Sequence, residues 1–131
     1  MIDCLILGDS IAVGTHQFRP ECVAYAKGGW NTWQWNRDYL KNDLTAETVI
    51  ISLGSNDHQG VNTRKELEKM REKVKGKRVY WIMPAIKPHI QKIVFEIADA
   101  YNDVVLPITR LQPDGIHPSW AGYKELAKNT K

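Results

Sequence analysis

The sequence has no apolar run approaching the ~20 residues that a bilayer span needs, so no membrane-crossing helix is expected. It opens on no basic leader. Its first apolar run is short and ends in a serine that cleavage would remove, so no signal peptide is read. Only two cysteines are present, Cys4 and Cys22. They are too few for a disulfide framework and have no metal-ligand spacing. Both fall in expected strands, where a free cysteine behaves as a small apolar residue. A reducing, cytoplasmic compartment fits that reading, as does a phage- or virion-associated protein. Low-complexity tracts, repeats and linkers are absent. Charge is nearly balanced, with 18 Lys and Arg against 15 Asp and Glu and a formal net charge of +3. The bases gather between Arg64 and Arg78, but glutamates interleave them. That pattern reads as a solvated helix face and gives no basis for a nucleic-acid partner.

What is present is the alternation of an α/β protein. With 131 residues the chain suits one domain with a single core of ordinary size. Strands are expected over Ile2–Leu7, Cys22–Ala26, Thr48–Leu53, Arg78–Met83 and Asp103–Ile108. The third and fourth are near-continuous apolar runs, as in strands covered on both faces. Helical spacing occupies Asn31–Lys41, Thr63–Lys75 and Pro88–Tyr101, and a last helix opens at Pro118 or Ser119. Thr63 and Glu66 have the spacing of a capping box. In the third helix Ile90, Ile93, Val94, Ile97, Ala98 and Tyr101 form one stripe. The last helix buries Tyr123, Leu126 and Ala127.

Strands alternating with helices imply a parallel sheet with right-handed crossovers. For five strands the common doubly wound, flavodoxin-like order is 2-1-3-4-5, which makes a three-layer α/β/α sandwich with its ligand crevice where the order reverses. Four stretches then converge on the carboxyl edge of the sheet. Gly8-Asp9-Ser10 ends the first strand, Lys27-Gly28-Gly29-Trp30 follows the second, and Gly54-Ser55-Asn56-Asp57 follows the third. Asp114-Gly115-Ile116-His117 must return from the fifth strand, about 14 Å away at ~4.8 Å per strand. The segment from Leu106 can extend roughly 35 Å, so the reach is ample. Pro107, Pro113 and Pro118 stiffen it.

These residue types suit one chemistry. A serine hydroxyl is a poor nucleophile until a base takes its proton, and imidazole is the natural base near neutrality. A carboxylate on the other ring nitrogen fixes the tautomer. Ser10, His117 and Asp114 supply that set. The backbone N–H groups of Ser10 and Gly29 and the side-chain amide of Asn56 are candidate oxyanion donors, each worth on the order of 3 kcal/mol at a transition state. Asp9 and Asp57 read as hydrogen-bonders that order their loops. His16, His58 and His89 are expected in surface or local roles.

The four stretches, in this order, resemble the four blocks of the SGNH hydrolases, the GDSL-type esterase and lipase superfamily. Gly8-Asp9-Ser10 matches the first block, with Ile11 where the family's name has Leu. Gly29 matches the second, with Gly28 as the alternative. Gly54-Ser55-Asn56-Asp57 matches the third and Asp114-Gly115-Ile116-His117 the fourth. The resemblance runs from Gly8 to the closing helix. It implies an α/β/α fold and ester hydrolysis through an acyl-enzyme on Ser10, with no metal or cofactor required. It does not imply one substrate. The chain has little room for a lid, which suits a small acyl group such as acetate, with a carbohydrate as one candidate for the alcohol. Trp30 and Trp120 flank the blocks as candidate walls for a sugar ring. The alternatives are a lysophospholipase or thioesterase of the same fold and a non-catalytic glycan-binding relative. A metal pair on Asp9, Asp57, His58, Asp114 and His117 is a further one, although the Asp-x-His pair that metallophosphoesterases place ahead of Gly-Asp is missing.

Overall fold

A computed structural model describes all 131 residues. Its centre is a five-stranded parallel sheet in the order β2-β1-β3-β4-β5, the expected arrangement. The strands are β1 (Ile2–Gly8), β2 (Val23–Ala26), β3 (Thr45–Ser52), β4 (Lys75–Ile82) and β5 (Val104–Leu106). The helices are α1 (Ser10–Gln17), α2 (Thr32–Tyr39), α3 (Thr63–Lys73), α4 (Pro88–Ala100) and α5 (Trp120–Asn129). Helices α2, α3 and α4 cover one face of the sheet, while α1 and α5 pair on the other. The larger core joins Leu5, Leu7, Val49 and Ile51 to Trp35, Leu67, Met70 and Val94. The smaller one joins Cys4, Ile6 and Ile50 to Ile11, Ala12 and Leu126. Alternate residues of β1 and β3 thus feed opposite layers, as the period of a strand requires.

Several boundaries differ from expectation for local reasons. β3 and β4 each begin three residues early, because Thr45 pairs with Lys75 and Ala46 with Gly76 at the amino edge. That opening of β4 is polar and exposed, so apolar patterning gives no sign of it, and α3 ends at Lys73. β5 shrinks to three residues. The capping box expected at Thr63 and Glu66 does not form. Asn62 caps α3, Thr63 donates to Asp57, and Glu66 accepts from Asn36. A capping box forms instead at Asn31 and Gln34, at the start of α2. Within the basic stretch Arg71 departs from the solvated-face reading. It is buried, bonds both oxygens of Asp103 at 2.7 and 2.9 Å, and stacks on Tyr101. At the far end of α5, buried Arg19 donates to Thr130 Oγ1 and to the Ala127 carbonyl, tying that helix to the end of α1.

The cysteines also depart from expectation. Cys4 and Cys22 form a disulfide, with Cα atoms 4.8 Å apart. Leu5 pairs with Val23 across β1 and β2, so the two residues just before that pair are neighbours. Separation along the chain conceals a juxtaposition that only strand register creates.

Candidate active site

The β1–α1 junction aims Ser10 at solvent. Gly8 has φ of +149°, and a Cβ there would lie 1.9 Å from the Ser52 carbonyl oxygen, so only glycine lets β1 pass β3 this closely. Asp9, not Ser10, caps α1, its Oδ1 accepting from Ile11 N–H at 3.1 Å. Ser10 is therefore the first helical residue, where the helix itself supplies no acceptor for its N–H. Backbone bonds then hold the neighbouring strand ends level, with Asp9 N–H donating to Ser52 O and Lys27 N–H to Gly8 O, each at 3.0 Å.

The return loop brings the imidazole to this serine. Ser10 Oγ lies 2.9 Å from His117 Nε2, across 107 positions of sequence. His117 Nδ1 lies 2.7 Å from Asp114 Oδ2, while Asp114 Oδ1 accepts from the Ile116 and His117 N–H groups at 2.9 and 3.0 Å. Those two backbone donors and the imidazole hold the Asp114 carboxyl down at about 2, the Ile116 N–H contributing most. A carboxylate only accepts, so the hydrogen between the two sits on Nδ1 and leaves Nε2 to accept from the Ser10 hydroxyl. Gln112 N–H donates to the His117 carbonyl and closes the loop on itself.

The second and third stretches meet beside the serine. Trp30 N–H donates to Lys27 O, and Gly29 sits at φ of +79° within that turn, a value that favours glycine. The Gly29 N–H bonds to no other backbone group. Gly28 lies against Ser10, with 3.7 Å between a built Cβ and the Ser10 Cβ. Asn56 donates one amide hydrogen to the Trp30 carbonyl at 3.0 Å, which leaves its second hydrogen unused by the protein. Buried Asp57 gathers Thr32 N–H, Thr32 Oγ1 and Thr63 Oγ1 at 2.9, 2.7 and 2.6 Å, joining this turn to the starts of α2 and α3. Lys87, from the β4–α4 loop, donates to the carbonyls of Ser55 and Asp57.

Not every candidate group is brought in. His16 bonds the Cys22 carbonyl, His58 accepts from Gly60 N–H, and His89 lies exposed at the start of α4. The five groups of the metal-pair alternative do not gather. Clustering at ligating distance occurs at Cys4, Glu21 and Cys22, where both sulfurs are already bonded to one another. Asp9 is fully buried with Oδ2 unpartnered, and burial pushes its carboxyl up to about 7. Sequence reasoning marks neither Thr32 nor Lys87, and it reads Thr63 only as a helix cap without linking it to the site. The two threonines open helices beside the blocks, which is a faint signal, whereas nothing about a lysine before Pro88 points to the third turn.

No protein-family model matches the sequence, and no curated protein sequence matches it. Solved structures do. The chain is similar to a Bacteroides fragilis protein assigned as an acylhydrolase, at TM-score 0.68 and 18% identity over 97% of this chain and 83% of that one. It is also similar to the C-terminal catalytic domain of peptidoglycan O-acetyltransferase A from Streptococcus pneumoniae, solved with a methylsulfonyl adduct. There the TM-score is 0.63 and the identity 17%, over 98% of this chain and 96% of that one. At these identities the likeness is one of architecture: the chain shares the α/β fold of both structures.

Proposed function

We propose that this protein is a serine esterase of the SGNH type that removes small acyl groups, acetyl above all, through an acyl-enzyme. The observation that carries the reading is the hydrogen-bonded chain Ser10–His117–Asp114 at the carboxyl edge of β1. In the first half-reaction Ser10 Oγ attacks the ester carbonyl while His117 Nε2 takes its proton, and Asp114 steadies the resulting imidazolium. The oxyanion is received by the N–H groups of Ser10 and Gly29 and the unused Asn56 hydrogen. As the C–O bond breaks, His117 returns the proton to the departing alkoxide. Water then attacks the acyl-serine, with His117 again as base, and the acid is released.

Two surroundings support a carbohydrate as the alcohol. Trp120 is 73% exposed and meets Phe18 edge-on, so a broad indole face stays open three residues after the base. Beside it a cleft of about 450 Å³ is lined by Gln17, Phe18, Gln112, Trp120 and Tyr123, none of them a carboxylate or an ammonium. Aromatic faces with amide groups suit a neutral sugar's C–H surfaces and hydroxyls. Trp30 is the lesser wall, because Lys27, Arg37 and Tyr39 already approach its ring. Acetyl and glycan chemistry also appear together in the name of the pneumococcal neighbour.

The test is hydrolysis of p-nitrophenyl esters of increasing chain length and of acetylated sugars, with Ser10→Ala as the blank. We expect the acetyl ester to be preferred and kcat to fall by several orders of magnitude in the variant, with the fold retained. An organophosphorus reagent should label Ser10, and chelators should leave activity unchanged. Full activity in Ser10→Ala would remove the serine from the mechanism.

A further inference from the structure

Lys87 holds an unusual backbone and an unusual set of partners. Its φ of +65° and ψ of +80° put it in the left-handed region, although it carries a side chain and precedes Pro88. A residue before proline ordinarily takes an extended conformation. Strain of this kind persists where the surroundings over-determine it, and it clusters at functional sites. The ammonium makes no ion pair; it donates instead to two neutral carbonyls, Ser55 O at 2.8 Å and Asp57 O at 2.6 Å.

Those carbonyls stand on either side of Asn56. The turn around it is closed by Asp57 N–H donating to Gly54 O, and the Asp57 side chain is tied to Thr32 and Thr63. Asn56 itself has one anchor, the bond from its amide to the Trp30 carbonyl. One tether fixes a side-chain amide only as well as the backbone beneath it is fixed; the ammonium holds the turn on both sides of Asn56, and with it the Cα–Cβ direction from which the amide sets out. The β4–α4 loop carrying the ammonium is itself pinned, since Gln91 donates to Pro84 O and Met83 N–H to Leu106 O.

We propose that Lys87 is a positioning residue for Asn56, clamping the turn at 54–57 so that the free amide hydrogen stays aimed at the oxyanion. The inference rests on the serine-esterase reading. Its consequence is that Lys87 acts through Asn56, without touching substrate.

A double-mutant cycle on 4-nitrophenyl acetate tests this. Lys87→Met, which keeps most of the unbranched stem and removes the donor, is expected to lower kcat about tenfold or more while KM changes little, since misplacing a transition-state donor costs rate. In an Asn56→Ala background the same change should shift kcat by less than about twofold, because no amide remains to be aimed. Lys87→Arg should recover part of the loss. The side-chain amide resonance of Asn56 in a nitrogen–proton correlation spectrum should move or broaden in Lys87→Met, and it reads the clamp without any turnover. If Lys87→Met does not fold, Lys87→Leu takes its place in the same cycle. Equal losses with and without Asn56, or an Asn56 resonance unaltered by the substitution, would overturn the proposal. A wild-type protein that neither turns over the ester nor is labelled at Ser10 would overturn the esterase reading, and the clamp's role with it. Turnover by wild type with additive losses removes the clamp alone.

Discussion

Asp114 and Asp9 stand near the same serine, and opposite environments act on their carboxyls. Backbone N–H groups and the imidazole keep Asp114 at about 2. A depressed folded-state value favours the native protein above the ordinary value of 3.8, and that benefit fades as pH falls from about 3.8 toward 2. Asp114→Asn should therefore flatten the stability profile in that acid window, seen by thermal melts between pH 2 and 4. It should also lower kcat by less than Ser10→Ala does, because the imidazole keeps its serine partner. Asp9 runs the other way. Burial raises it to about 7, so between about 3.8 and 7 the native state holds a proton that the unfolded chain releases. Stability contributed at this position consequently declines as pH rises through that window. Asp9→Asn keeps an oxygen for the Ile11 N–H and removes the titration. Its melting temperature should vary less than wild type's between pH 4 and 7, and an identical slope would show that Asp9 does not titrate there.

At the scale of elements, legibility followed burial. β1, β3 and α4 were readable because their apolar residues recur at the period of the element that buries them. The opening of β4 was not, since Lys75, Gly76 and Lys77 pair along an exposed margin where side chains carry no pattern. The start of α3 misled for another reason. Thr63 and Glu66 have capping-box spacing, yet tertiary partners, Asp57 and Asn36, take both side chains. The bond between β1 and β2 was hidden for lack of a register, and it overturns the expectation of free thiols. A disulfide belongs to oxidising surroundings, which weighs against the reducing compartment that cysteine count suggested. With 18 residues of sequence separation between Cys4 and Cys22, opening the bond should destabilise the fold by roughly 3 kcal/mol. Denaturant melts of Cys22→Ala, and of wild type with and without reductant, measure this. No change on reduction would mean that the bond is not formed in solution.

For the molecule as a whole, the order of the sheet and the meeting of Ser10 with His117 followed from alternation and from four short blocks. Chain topology dictates the rest of the site's frame, since a doubly wound sheet can bring these loops together at one edge only. What the blocks do not encode is their support. Asp57 with Thr32 and Thr63, and Lys87 with two carbonyls, join residues 6 to 32 positions apart through groups common on any surface. His117 and Asp114, by contrast, ride together on one short bend between Gln112 and Pro118. That bend leads directly into α5, whose far end is fastened by Arg19. Slippage of this C-terminal helix would carry the imidazole and its partner away as a unit while Ser10 stayed at the end of β1. The proposed hydrolysis would then stop while the larger core stayed closed, and would return whole once the helix re-docked.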